Sequence, residues 1–181
     1  MWGWNMKLLA ELIVETKDKK IVQEANSFLI QFFQLLERHL KRGNAVGVKQ
    51  IDGNVHSGYS SDYTFAVNAP SGNSNYGIVV GNGTTGVDIC NDYALENKLE
   101  LDYGDTTVNA TTCGSGVIEI SIQRNITNNT GNNVTINEAA LYCFGTGDTR
   151  IHCIDRTILV EPVTLQNEQT MKLTYKIKYV D

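Results

Sequence analysis

The chain has 181 residues, which suits one domain able to bury roughly 70% of its unfolded surface without staples. A net charge of −5 and a pI near 5.2 argue against nucleic-acid binding, which wants a basic stripe; Lys17, Lys19 and Lys20 are broken by Asp18. No run of about 18 apolar residues occurs, so no membrane-spanning helix is expected, and no conventional signal peptide is visible.

The first five residues, MWGWN, precede a second methionine, Met6, and carry two apolar anchors, Trp2 and Trp4. These read either as packing on the protein's own core or as a partner contact. Leu8, Ala10, Leu12 and Val14 then alternate with Leu9, Glu11, Ile13 and Glu15, and KDK makes a polar turn, so 7–25 reads as a β-hairpin, with a helix over 8–14 the competing reading. Asn26 or Ser27 is a good helix N-cap. After it, Phe28, Leu29, Phe32, Leu35, Leu36 and Leu40 follow helical spacing, with Gln31, Gln34, Arg38 and Lys41 as the opposite stripe. Gly43 and Asn44 stop the helix. The row Phe28, Phe32, Leu36 and Leu40 is expected in the core; a subunit contact is the alternative.

From Ala45 onward short apolar runs are divided by Asn, Gly and Thr clusters, the spacing of an all-β sandwich. Strands are expected over 46–51, 63–67, 77–80, 98–103, 117–126, 134–144, 150–160 and 171–180, and a short helix over 92–98. In the first long strand Ile118, Ile120 and Ile122 alternate with Glu119, Ser121 and Gln123, and a loop of Asn, Thr and Gly leads to Val134 and the return. The last strand is the cleanest, with Met171, Leu173, Tyr175, Ile177 and Tyr179 opposite Lys172, Thr174, Lys176 and Lys178. The fold expected is mainly β: an antiparallel, jelly-roll-like two-sheet sandwich over 45–181, with a hairpin and one amphipathic helix over 1–44, in one compact unit.

Chemistry is sparse. Cys90, Cys113, Cys143 and Cys153 form no CxxC pair, and His39, His56 and His152 complete no zinc site. Cys143 and Cys153 flank GTGDT, so they read as a cross-strand disulfide or as small apolar residues. Asn82, Asn109, Asn125, Asn128 and Asn133 head Asn-x-Ser/Thr acceptor sequences, which suggests exposed loops. Gly81, Gly83 and Gly86 have G-x-G-x-x-G spacing after an apolar strand, but VDICND is a poor start for the helix that a dinucleotide site needs, so a glycine-rich connection is expected. Asp102 with Asp105, and Asp148 with Asp155, are the candidate carboxylate pairs. Asp52–Asn54 hints at structural calcium but lacks the closing acidic residue; no other cofactor is expected. There is no GxSxG and no activated histidine, His56 being a loop residue, so no catalytic residue is nominated and no enzyme is expected.

Several phrases, in order, resemble a group of small virion proteins of tailed bacteriophages and related archaeal viruses: the opening hairpin with KDKK and EANSFLIQFFQLL; GIVVGNGTTGVDICNDYALENKL; ISIQRNITNNTGNNVTINEAALYC with its Glu-x-x-Leu-Tyr ending; and RTILVEPVTLQNEQTMKLTYKIKY. The polar turn QNEQT lacks the usual glycine or proline. The resemblance implies a β-sandwich serving as a tail, collar, fibre or capsid-decoration component in the virion. Its partners would be further copies of itself and other virion proteins, with receptor or glycan contact allowed, and it implies no catalytic residues. Two other readings stand beside it: a subunit of an extracellular filament or cell-surface layer, and a carbohydrate-binding sandwich using Tyr59, Tyr63, Tyr76, Tyr93 and Tyr103.

Overall fold

The computed structural model describes residues 7–25, 28–41, 47–56, 65–145 and 150–180. In chain order the elements are β1 (Lys7–Glu15), β2 (Lys20–Glu24), α1 (Ile30–Lys41), β3 (Val48–Lys49), β4 (Val55–His56), β5 (Gly77–Gly81), β6 (Asp102–Val108), β7 (Thr112–Gly114), β8 (Val117–Thr127), β9 (Val134–Phe144), β10 (Ile151–Leu165) and β11 (Thr170–Val180). One sheet runs β2-β1-β11-β8-β6, with β7 also on β8; the second runs β10-β9-β5, and β3 and β4 form a small separate hairpin. The pairings are antiparallel, and the fold is a mainly β, two-sheet sandwich with an N-terminal hairpin and a single helix.

Strand periodicity explains the layering. Ala10, Leu12 and Val14 of β1 point inward beside Met171, Leu173 and Tyr175 of β11 and Ile122 and Ile126 of β8. They meet Ile78, Val79 and Val80 of β5 and Ile136 and Ala139 to Tyr142 of β9 in one core. On the outer face Lys176 pairs with Glu119 at 3.0 Å and Lys178 with Glu11 at 2.8 Å, a charged ladder across three strands. Because β1 pairs with β11 along its whole length, 7–24 belongs to the large sheet rather than standing apart.

Several expectations shift. The hairpin reading of 7–25 holds. Strand 98–103 moves to Asp102–Val108, and 92–98 forms bends and an isolated bridge from Lys98 to Gly81 rather than a helix. The short β7 had no period to reveal it; it is joined to β8 by Ser115 and Gly116, both at positive φ, as a tight primed hairpin turn requires. Of the expected strand 63–67, residues 63 and 64 lie outside the described residues and Ala66 makes only an isolated bridge to Phe144. In QNEQT the missing glycine is replaced by Glu168, held at φ 66 by its N–H bond to Asn128 O (2.6 Å). Pro162 falls where β10 slips register against β9, between Ile158 and Val163, so its missing N–H interrupts no ladder.

The helix face is also corrected. Leu36 and Leu40 of the supposed core row are 38% and 78% exposed, while Gln31, Leu35 and Arg38 are buried. The inward face is thus half polar, because the loop beneath it offers a carbonyl: Gln31 Nε2 donates to Asp92 O at 3.1 Å. The proposed caps at Asn26, Ser27, Gly43 and Asn44 lie outside the described residues.

Asp155 of β10 is fully buried at the register shift between Cys153 and its own position. Burial pushes its carboxyl from an ordinary 3.8 up to about 7, only partly offset by Thr157 Oγ1, which donates at 3.0 Å, and by the nearby Tyr175 hydroxyl. Between these values the native state holds a proton that the unfolded chain has lost, so stability falls as pH rises from about 4 to about 7 and then stays lowered. Asp155→Asn should therefore raise the melting temperature by several degrees at pH 8 and change it little at pH 4, as read by thermal unfolding at both pH values.

Candidate functional site

The most elaborate polar arrangement centres on Glu138, in the middle of β9, which faces Ile158 on β10 and Gly81 on β5. Its side chain has no solvent exposure. Oε1 accepts from Gly83 N (3.1 Å) and Asn97 N (3.0 Å), and Oε2 from Glu96 N (3.2 Å) and Arg156 Nε (2.8 Å). Arg156 continues outward, with Nη1 on Asp92 Oδ2 at 2.6 Å and Nη2 on Thr85 O at 3.1 Å. Burial disfavours the Arg156 charge, but the bonds to Glu138 and Asp92 outweigh it and lift its pKa above that of an ordinary arginine. Glu96 accepts from Thr84 N, Thr85 N and Thr85 Oγ1, bonds to Thr85 being the main reason its carboxyl sits below the usual range. Leu95 N donates to the Tyr142 hydroxyl oxygen at 2.7 Å.

This is a clasp that holds the long 82–98 connection onto the sheet. It also explains the glycine spacing. A Cβ at Gly83 would stand 2.6 Å from Glu138 Oε1, and one at Gly81 would overlap the same oxygen. These glycines let backbone approach a buried carboxylate; no helix opens after Gly86 to meet a phosphate. The clasp opens to solvent at a cleft of about 370 Å³ beside Asp92, Tyr93, Glu96 and Arg156, whose charged groups are already bonded to one another.

The other residues singled out by sequence scatter. Cys143 stands opposite His152 and Cys153 opposite Tyr142, so adjacent registers put the two cysteines on opposite faces of the sheet. Both are buried and free, and the cross-strand disulfide is not formed. Cys90 and Cys113 are free and exposed. Asp52 spends Oδ1 on Asn54 N (2.9 Å) and Oδ2 on Asn54 Nδ2 (2.8 Å), a local turn; among the described residues no three His, Cys, Asp or Glu side chains converge to hold a metal. Asp102 accepts from Asn129 and Asp105 from Ser71, so that carboxylate pair is not a pair, and Asp148 lies outside the described residues. Asn128 is buried and donates to Asn132 O and Leu165 O, unlike the exposed Asn82, Asn109, Asn125 and Asn133. The tyrosines share no platform: Tyr103 is buried, Tyr76 stacks on Phe144, Tyr93 lies under Lys49, and Tyr59 and Tyr63 fall outside the described residues. The His56 side chain, Trp2 and Trp4 also fall outside them.

What remains is a surface. Leu8 of β1, Ile89 of the 82–98 connection, and Ile30, Phe33, Leu36 and Leu40 of α1 are between 36% and 78% exposed. Ile30 N donates to Ile89 O at 2.8 Å, which seats the start of the helix on the clasped connection, and Leu8, Phe33 and Ile89 line one groove with Phe28. Neither the groove nor the clasp was visible as such in the sequence; Glu138, as the Glu of Glu-x-x-Leu-Tyr, and the spacing of Gly81 and Gly83 were the signals it carried. Comparison with protein-family models, curated proteins and solved structures finds no match.

Removing the cation from the clasp should unfold it from the inside. Arg156→Ala is expected to cost about 3–5 kcal/mol, because Glu138 is left as a buried, uncompensated charge. Urea unfolding measures the loss, and amide exchange should show 82–98 losing protection first.

Proposed function

We propose that this chain is a non-enzymatic virion structural protein, of the tail, collar, fibre or capsid-decoration type, that works by assembling in multiple copies. The observation that carries the reading is the apolar surface on the N-terminal hairpin, helix and clasped connection, where Leu40 is 78% and Phe33 53% exposed. Contiguous exposed apolar surface on a soluble chain usually marks a place that something covers. The sequence resemblance to small phage and archaeal-virus virion proteins points the same way. So does the distribution of charge: the outer face of the large sheet is zipped by Lys–Glu pairs and the 128–133 loop is uncharged, whereas Ile30, Phe33, Leu36 and Leu40 lie exposed on a helix that carries the ion pair Lys41–Glu37. The charged side chains of the cleft at Arg156 are engaged within the clasp, which supports a holding role there.

The native mass of the full-length protein tests this, measured by light scattering from micromolar concentration upward. A trimer, ring or growing polymer is the expected result. A particle that stays monomeric over the whole range overturns self-assembly.

A further inference from the structure

The groove lined by Lys7, Leu8, Ala25, Phe28, Phe33 and Ile89 is open and about 370 Å³ in volume. Its floor is apolar, and the Lys7–Glu24 ion pair sits at its rim, Lys7 Nζ to Glu24 Oε2 at 3.4 Å. The described chain begins at its edge, because Lys7 is both a lining residue and the first residue of β1. The six residues before it include Trp2, Trp4 and two methionines. We propose that this groove is the receptor for Trp2 and Trp4 of a second copy of the same chain, so that copies join by exchanging their N-terminal residues. The inference rests on the multi-copy reading above and names the contact that makes it.

Direction argues for a second copy over the same one. Lys7 pairs with Val180 at one end of the β1–β11 ladder, and the groove is lined by the residues that follow it, Leu8, Leu9 and Ala10. To enter its own groove it would have to reverse over Asn5 and Met6, and a tight hairpin reversal wants glycine at the second of those positions. Running on instead, six residues reach about 20 Å, far enough to meet a neighbour.

Area argues the same way. A stable interface takes about 800 Å² from each partner. The exposed parts of Leu8, Ile30, Phe33, Leu36, Leu40 and Ile89 supply only a few hundred Å² of it. Two tryptophans at about 150–250 Å² each bring the total into range, and indole also suits a rim carrying a lysine ammonium.

Trp2 and Trp4 are the only tryptophans in the chain, so intrinsic fluorescence reports on this segment alone. The experiment follows tryptophan emission and sedimentation of the full-length protein together over a concentration series, alongside Phe33→Glu, the double variant Trp2→Ala/Trp4→Ala, and Val108→Glu as a control on the distant β6. Emission should move from that of hydrated indole to the blue as mass rises. Phe33→Glu and the tryptophan double variant should each weaken association roughly tenfold or more, while Val108→Glu should not. Circular dichroism matching the parent separates this from misfolding, which the exposure of Phe33 makes avoidable. Blue-shifted emission in the monomer at every concentration means the segment folds onto its own groove and overturns exchange. Oligomers with hydrated tryptophans, or a double variant that associates like the parent, overturn the exchange and leave multi-copy assembly standing. A monomer with hydrated tryptophans throughout overturns both.

Discussion

A carboxylate buried in the middle of a sheet has to be answered by donors, and Glu138 recruits its own from the 82–98 connection and from Arg156 of the neighbouring β10. Leaving it bare would cost several kcal/mol, a large part of the marginal stability of a domain this size. Three backbone N–H groups from 83, 96 and 97 and the guanidinium of Arg156 converge on it. To deliver those amides, the 82–98 connection must lie flat against β5 and β9, with glycine at the two positions where a Cβ would strike the carboxylate. A seventeen-residue connection without regular structure is ordinarily mobile or functional. Here it is tied down by bonds to Glu138, Arg156 and Tyr142.

The constraint propagates outward. Arg156 reaches past Glu138 to Asp92, and the backbone carbonyl of Asp92 accepts from Gln31 on α1. Ile89 O, in the same connection, takes the first helical N–H at Ile30, and Ile154 O of β10 takes that of Leu29. The helix is therefore oriented by polar contacts on its inner side together with the buried Leu35. That frees its long apolar row to face outward. The buried ion pair and the exposed surface are two ends of one arrangement: Glu138 and Arg156 fix the connection that carries Ile89 beside Phe33 and Leu8.

This also explains what the sequence made legible. Period-two patterns found β1, β8 and β11 nearly to the residue, because one face of each is plainly apolar and register fixes which face is buried, whereas β5, buried throughout, showed as a continuous apolar run. The same logic sends charges outward, and it failed where charges go inward. Arg124 sits in the inward row of β8 between Ile122 and Ile126, with its guanidinium donating to the carbonyls of Asn73, Tyr76, Ile78 and Gly104. Those acceptors lie 20 or more residues away in the chain, so no local pattern could announce them. The helix was misread for a similar reason. Two stripes compete for its inner face, and hydrophobicity alone chooses the one with more Phe and Leu, whereas Gln31 and Arg38 are buried because the fold supplies polar surroundings. Trp2 and Trp4 stood out as anchors, but their candidate receptor is built from β1, α1 and Ile89, which only the fold brings together.

An interface of this kind has a particular physical character. Its core is apolar and its rim carries a single exposed ion pair, so its strength should depend little on ionic strength, unlike a contact built on charge. A few hundred Å² plus two indoles gives a modest pairwise affinity, because association must first offset the lost freedom of the partners and the ordering of the exchanged segment. Modest contacts become strong when repeated: each added copy in a ring or lattice meets its second neighbour at the high effective concentration set by the first. The charged ladder on the opposite face then prevents the same chains from sticking by their sheets, since Glu11, Glu119, Lys176 and Lys178 are satisfied within one copy and would lose hydration in any second contact. One sticky face, one inert face and a segment that reaches forward together favour directed growth over indiscriminate aggregation.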